Sequence, residues 1–66
     1  MQSYRLYALD QYRHIIHRED FDAADDMNAI VYARGRYPET ACELWDLGRK
    51  VAEIEADGVA VLIDPA

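Results

Sequence analysis

Two histidines, His14 and His17, are the side chains of this chain that first suggest metal binding. The β-branched pair Ile15-Ile16 between them favours a strand, in which successive side chains alternate between opposite faces. Histidines three positions apart then point to opposite faces and do not chelate one ion together. A structural zinc site also needs further nitrogen or sulfur ligands, and the sequence has a single cysteine. We therefore expect neither a metal nor a cofactor.

Three carboxylates, Asp22, Asp25 and Asp26, form the densest acidic cluster of the sequence. A calcium loop needs alternating oxygen ligands, a central glycine and a distal glutamate, and this segment lacks that arrangement. Carboxylates are favoured at the positive end of a helix, where one of them caps the free backbone N–H groups. The sequence therefore predicts a helix N-terminus here, with Asp22 or Asp25 as the N-cap.

The sequence offers little for covalent catalysis. Cys42 is the single cysteine, and no histidine adjoins it in the sequence to act as the base that a nucleophile needs. Ser3 is the single serine, and there is no glycine-rich phosphate loop. Sixty-six residues also leave little room for an enclosed substrate pocket. We expect a protein that is not an enzyme.

Aromatic and basic residues interleave near the start of the chain, as they do on open sheets that bind single-stranded nucleic acid. The net charge of -6 argues against this function: the balance is +2 up to Arg18 and -8 from Glu19 onward, and an acidic chain lacks electrostatic attraction to phosphates. The acidic part suggests another hypothesis, an inhibitor or regulator that binds a basic surface of a larger protein. The interleaved residues are Tyr4, Arg5, Tyr7, Tyr12, Arg13 and Arg18.

One helix and several strands are expected around these residues. Residues 21–34 have the acidic start of a helix, Arg34 and Arg36 lie near its end, and it stops before Pro38, with Gly35 available for a left-handed end. The apolar stripe of this helix consists of Ala29, Ile30, Ala33 and Tyr37, which recur at helical spacing. The expected strands are residues 4–9, 14–18, 41–47, 50–56 and 59–63, with Gly48-Arg49 and Asp57-Gly58 as tight turns.

These elements predict one α+β domain over residues 1–66, in the order β-β-α-β-β, with the helix on one face of an antiparallel sheet. Residues 57–66 are a fifth strand, a strand exchanged with another molecule or a loose tail. The 52% hydrophobic content is typical of a folded domain, and the lone cysteine fits a reducing compartment. No apolar run approaches the roughly 20 residues that cross a bilayer, so we expect a cytoplasmic bacterial-type protein without a membrane partner.

Strand alternation predicts two apolar sheet faces, of which one helix covers only one. We assign Leu6, Ile16, Leu44 and Ile54 to the covered face. An uncovered apolar face on a small domain indicates a protein partner, and small cores gain stability by association. The leading hypothesis is therefore an interaction module, most simply a homodimer or a complex with another protein. Its expected interface residues are Tyr7, Ile15 and Trp45 on the sheet face, and Val59, Val61 and Ile63 on the last strand.

Three segments of the chain resemble a group of short uncharacterised proteins of the domain-of-unknown-function type. They are Tyr4-Arg-Leu-Tyr, Asp25-Asp26-Met-Asn-Ala29-Ile30, and Cys42-Glu43-Leu44-Trp45 followed by Arg49-Lys-Val-Ala. The group comes from alphaproteobacteria, sphingomonads and rhizobia among them, and the resemblance spans roughly residues 4–54. It implies a strand-strand-helix-strand-strand plan and brings no catalytic motif. The group usually has a glycine in its first turn, where this chain has Tyr12, and the tail after Asp57 lies outside the pattern.

Overall fold

The computed structural model describes residues 1–63 and has one helix packed on a five-stranded antiparallel sheet. The spatial order of the strands is β2-β1-β3-β4-β5, so the first strand lies inside the sheet and β2 and β5 form its edges. This confirms the predicted α+β class and the order β-β-α-β-β, with the last segment as a fifth strand. The elements are β1 Gln2–Leu9, β2 Ile15–Ala23, α1 Asp26–Arg36, β3 Ala41–Asp46, β4 Arg49–Ile54 and β5 Ala60–Leu62.

The strand β2 is longer than the sequence predicted, and it takes residues that we had expected in the helix. Phe21 pairs with Tyr4 of β1, and their rings stack with centroids 5.8 Å apart. Asp22 pairs with Ser3, whose hydroxyl donates to Asp22 Oδ1 at 3.0 Å. The prediction of a helix over residues 21–34 is thus wrong at its start, because pairing with β1 satisfies this backbone as strand.

The helix begins after Asp25, which is the N-cap. Its backbone is extended, with φ -158°, and its carboxylate accepts from the backbone N–H of Asn28 at 2.9 Å. Asp22, the other predicted cap, lies in β2. Arg34 and Arg36 occupy the last turn, where positive charge complements the helix dipole. Gly35 lies within the helix and does not end it, contrary to expectation.

The core lies between the helix and one face of the sheet. Of the predicted stripe, Ala29, Ile30 and Ala33 are buried in the helix, and Tyr37 follows the helix as its C-cap and packs against the core. On the sheet Leu6, Leu44 and Ile54 are buried as expected, with Tyr4, Ala8, Cys42, Val51 and Ala52 beside them. Ile16 was assigned to this face but is 46% exposed. The β1–β2 register shifts between Ala8 and Leu9, and this irregularity leaves Ile16 without a partner in the ladder.

The turns differ in detail from the prediction. β3 and β4 are joined through Leu47-Gly48, one residue earlier than Gly48-Arg49, and Leu47 adopts φ 55°. Arg13, in the first turn, has φ 69°. The turn around Asp57-Gly58 forms as expected, with Gly58 at φ 91° and its N–H donating to the Glu55 carbonyl at 2.9 Å. A loose tail was the third alternative for residues 57–66, and residues 64–66 lie outside the described residues.

Candidate interaction surfaces

The sheet face opposite the helix carries Tyr7 and Trp45, as the sequence predicted. Tyr7 lies directly opposite Glu43 and Trp45 opposite Arg5, so their side chains share the uncovered face. Both aromatic residues are half-buried. Ile15 lies apart from them, at the end of the β1–β2 hairpin, where it pairs with Leu9 and is 58% exposed. The structure thus brings two of the three predicted residues together.

Ion pairs occupy much of this uncovered face. Lys50 Nζ lies 3.1 Å from Glu53 Oε1 and 3.5 Å from Glu43 Oε2. Trp45 Nε1 donates to Glu43 Oε1 at 3.1 Å. Arg13 reaches from the first turn to Glu53 at 3.2 Å. The face therefore has two aromatic side chains within a network of paired charges, and it is less apolar than the sequence predicted.

The aromatic and basic residues of the first hairpin do not form one surface. Tyr4 is buried beneath the helix and Tyr12 lies in the turn, 70% exposed. Arg5 is on the uncovered face, where its Nε lies 2.8 Å from Asp20 Oδ1. This pairing lowers the pKa of Asp20, chiefly through the hydrogen bond from the guanidinium. Of the six residues, Arg5, Tyr7 and Arg18 share the uncovered face, where Tyr7 lies directly opposite Arg18, and Tyr4 and Tyr12 do not join them.

The two edges of the sheet differ in length and charge. β2 is a nine-residue edge that carries Arg18, Glu19, Asp20 and Asp22. Charged residues on an edge strand discourage pairing with another chain. β5 has three residues, Ala60–Leu62, and none of them is charged. The apolar side chains in and beside it are exposed: Val59 by 55%, Val61 by 47% and Leu62 by 60%.

Two polar clusters fasten the ends of the helix to the sheet. At the N-terminal end, Asp26 Oδ1 accepts from the buried Tyr4 hydroxyl at 2.7 Å and from Arg49 Nη2 at 3.1 Å. The Arg49 and Tyr4 hydrogen bonds lower the pKa of Asp26. Burial and the Asp26 hydrogen bond raise the pKa of Tyr4. These groups satisfy one another, and this arrangement is typical of a structural contact.

The second cluster is centred on Glu19 of β2, near the helix C-terminus. Its carboxylate accepts from the Tyr32 hydroxyl, from Arg36 Nε at 2.7 Å and from the Tyr37 hydroxyl at 3.3 Å. The pKa of Glu19 is lowered, first by the Tyr32 hydrogen bond and then by Arg36. His17 stacks on Tyr37, with ring centroids 5.4 Å apart. Neither cluster was predicted from the sequence, because each joins residues far apart in the chain.

The residues considered for chemistry lie apart from one another. Cys42 is 2% exposed, and burial raises the pKa of its thiol, which suppresses the reactive thiolate. His14 sits in the first turn, with Nδ1 3.4 Å from Asp10 Oδ2, and His17 lies in β2. Within residues 1–63, no three histidine, cysteine or acidic side chains are grouped so as to hold a metal ion.

An open groove of about 600 Å³ lies beside Leu47 at the open end of the β1–β2 hairpin, away from the turn and Ile15. Its polar lining is already paired, since Ser3 donates to Asp22 and Arg5 to Asp20. A ligand there would have to displace these internal partners. The groove is therefore an ordinary depression between surface side chains.

Fold and surfaces together define a small α+β domain whose sheet has one charged edge and one uncharged apolar edge. No family model, curated protein or solved structure matches the chain. The resemblance to short alphaproteobacterial proteins thus stays a prediction. The helix α1, the one helix of residues 1–63, lacks the length and the apolar character needed to cross a membrane.

Proposed function

We propose that the protein is a small, non-catalytic interaction module that self-associates through the edge formed by β5. The observation that carries this proposal is the absence of charge from β5 and its exposed neighbour Val59, in a chain with net charge -6. An edge strand offers unpaired backbone donors and acceptors, and an exposed apolar edge invites another strand. A cytoplasmic setting fits the free cysteine of this module.

Self-association would also add stability that the small core does not supply. The buried cluster contains five alanines, each of which buries little apolar area: Ala8, Ala23, Ala29, Ala33 and Ala52. The helix packs against β2, β3 and β4, which leaves the helix side of β5 largely open. Small domains commonly gain from association the stability that a thin core does not supply. A second copy over β5 would bury the exposed Val61 and Leu62.

The uncovered sheet face supports self-association less well than the β5 edge. Burying it would desolvate the charges around Lys50, Glu43 and Glu53, and such burial costs free energy unless every charge remains paired. Pairing through β5 leaves these ion pairs at the rim of the interface, in contact with water. We therefore assign Tyr7 and Trp45 a supporting place beside the interface.

Sedimentation velocity on two lysine variants tests the proposal. Val61→Lys places a charge on the β5 edge, and Ile16→Lys places the same charge on the β2 edge at a matched exposure of 46% against 47%. We expect the wild type and Ile16→Lys to sediment as dimers at high concentration and Val61→Lys as a monomer. A dimer of Val61→Lys together with a monomer of Ile16→Lys would place the interface on β2. A monomeric wild type would refute self-association.

The salt dependence separates self-association from the alternative function, an acidic regulator bound to a basic protein. Two copies of charge -6 repel each other, so screening by salt should strengthen the dimer. A complex held by acidic side chains on a basic surface should weaken under the same change. Retention of a protein partner at low salt and its loss at high salt, with a monomeric chain, would favour the regulator.

A further inference from the structure

The outward backbone groups of β5 follow from its hydrogen bonds to β4. Glu55 N–H donates to the Val59 carbonyl at 2.8 Å, and Ile63 N–H donates to the Val51 carbonyl at 3.0 Å. In an antiparallel pair the residues that bond to the neighbour alternate with residues that do not. The backbone N–H and C=O groups of the odd-numbered residues, 59, 61 and 63, therefore point toward β4. The N–H and C=O groups of Ala60 and Leu62 point away from the sheet, toward a further strand.

On the basis of the proposed self-association, we infer that β5 of a second copy pairs antiparallel with β5 about a two-fold axis at Val61. In this register Ala60 of each copy faces Leu62 of the other. Each of the two facing pairs exchanges two backbone hydrogen bonds, so all outward groups of both strands are satisfied. A shift of two residues in either direction leaves only one such pair within β5. The two sheets then join into one sheet of ten strands.

The side chains fit the same register. Val61 pairs with Glu53 across β4–β5 and so lies on the uncovered face, where it would meet Val61 of the second copy. Leu62 and Ala60 point to the helix side, where the exposed Leu62 would cover the half-buried Ala60 of the second copy. Each exposed apolar side chain thereby gains an apolar neighbour, as cross-strand pairs require.

The charges next to this axis are already neutralised. Glu53, the closest carboxylate in the ladder, contacts both Lys50 at 3.1 Å and Arg13 at 3.2 Å. As far as residues 1–63 are concerned, two acidic chains can therefore approach at β5 without bringing two unpaired carboxylates together. The β2 edge carries one arginine and three acidic residues, so it does not repeat this arrangement. The pairing stops at two copies, because each copy has one such edge.

Disulfide formation between two copies that each carry one introduced cysteine tests the register. Ala60→Cys, Val61→Cys and Leu62→Cys are made in the wild-type chain, whose own Cys42 is buried and serves as the uncross-linked control. Facing residues that do not exchange hydrogen bonds lie about 4.5 Å apart at Cα, within the range that a disulfide spans. Under mild oxidation we expect Val61→Cys to cross-link at least about tenfold faster than the other two variants. Sedimentation of the reduced variants runs in parallel.

The outcomes separate this inference from the proposed function. If Ala60→Cys or Leu62→Cys cross-links fastest and the reduced variants sediment as dimers, the register is wrong. The two strands would then pair in a register shifted by two residues. Equal rates in dimeric variants would show that no defined β5 register exists. Monomeric wild type and variants, without cross-linking, would overturn both the register and self-association.

Discussion

The contact between Tyr4 and Asp26 makes stability at alkaline pH depend on one hydroxyl group. Tyr4 is 2% exposed and its hydroxyl donates to the Asp26 carboxylate. Burial and this hydrogen bond raise the pKa of Tyr4 above that of a tyrosine in the unfolded chain, about 10. Above that pH the unfolded chain releases a proton that the folded protein keeps. The Tyr4 contribution to stability is therefore complete below about pH 10 and decreases as pH rises further.

The substitution Tyr4→Phe measures the contribution of this hydroxyl group to stability. At pH 7 the substitution removes a hydrogen bond to a carboxylate, and we expect the free energy of unfolding to fall by about 1.5 kcal/mol. This value is at the lower end of the range for hydrogen bonds to charged groups, because Arg49 still contacts Asp26 in the variant. Each pH unit above the unfolded pKa costs the wild type about 1.4 kcal/mol, which the variant does not lose. At about pH 11 the two proteins should be nearly equal in stability.

Urea unfolding monitored by circular dichroism, in steps from neutral to strongly alkaline pH, measures this convergence. Tyr12→Phe is the matched control, because Tyr12 is 70% exposed and its hydroxyl has no hydrogen-bond partner among the described residues. Its curve should follow the wild type at every pH. A stability difference between wild type and Tyr4→Phe that stays constant across the range would refute the reasoning.

Three further predictions concern other groups. Asp26→Asn should lower the free energy of unfolding by about 1 kcal/mol at neutral pH. Because Arg49 and Tyr4 lower the pKa of Asp26, urea titrations should show this difference begin to shrink as pH falls below about 4 and vanish once pH is below the lowered pKa. Leu47→Asn should raise the free energy of unfolding by about 1 kcal/mol, because Leu47 is 86% exposed and has φ 55°, a left-handed conformation that asparagine adopts more easily than leucine. Calorimetry measures this change, and an unchanged unfolding transition would contradict the prediction. Cys42 should react with a thiol reagent only at the rate of unfolding, and fast labelling of native protein would disprove its burial.

Local patterns predicted the elements of this fold well where periodicity and turn chemistry decide them. The stripe of Ala29, Ile30 and Ala33 defined the buried side of the helix, and Asp57-Gly58 marked the last hairpin. Both signals lie within one element or one turn. They need no knowledge of the rest of the chain, and the structure keeps them.

Features set by distant partners were harder to predict. Residues 21–23 have the acidic composition of a helix start, but their pairing with the first residues of β1 makes them strand. Ile16 follows the alternation of a core residue, but the shift in register exposes it. The uncovered face was predicted as apolar because alternation locates Trp45 without showing that Lys50 and Glu43 surround it. Strand order decides these contacts, and no local pattern encodes it.

The central position of β1 has a consequence for how the protein folds. β1 hydrogen-bonds to β2 through a short hairpin, but its other neighbour, β3, starts at Ala41, after the whole helix. The backbone groups of β1 that pair with β3, between Arg5 and Leu9, stay exposed to water until that distant strand arrives. Contacts that close such long loops slow folding relative to local ones. Formation of the β1–β3 ladder is therefore the step that should set the folding rate.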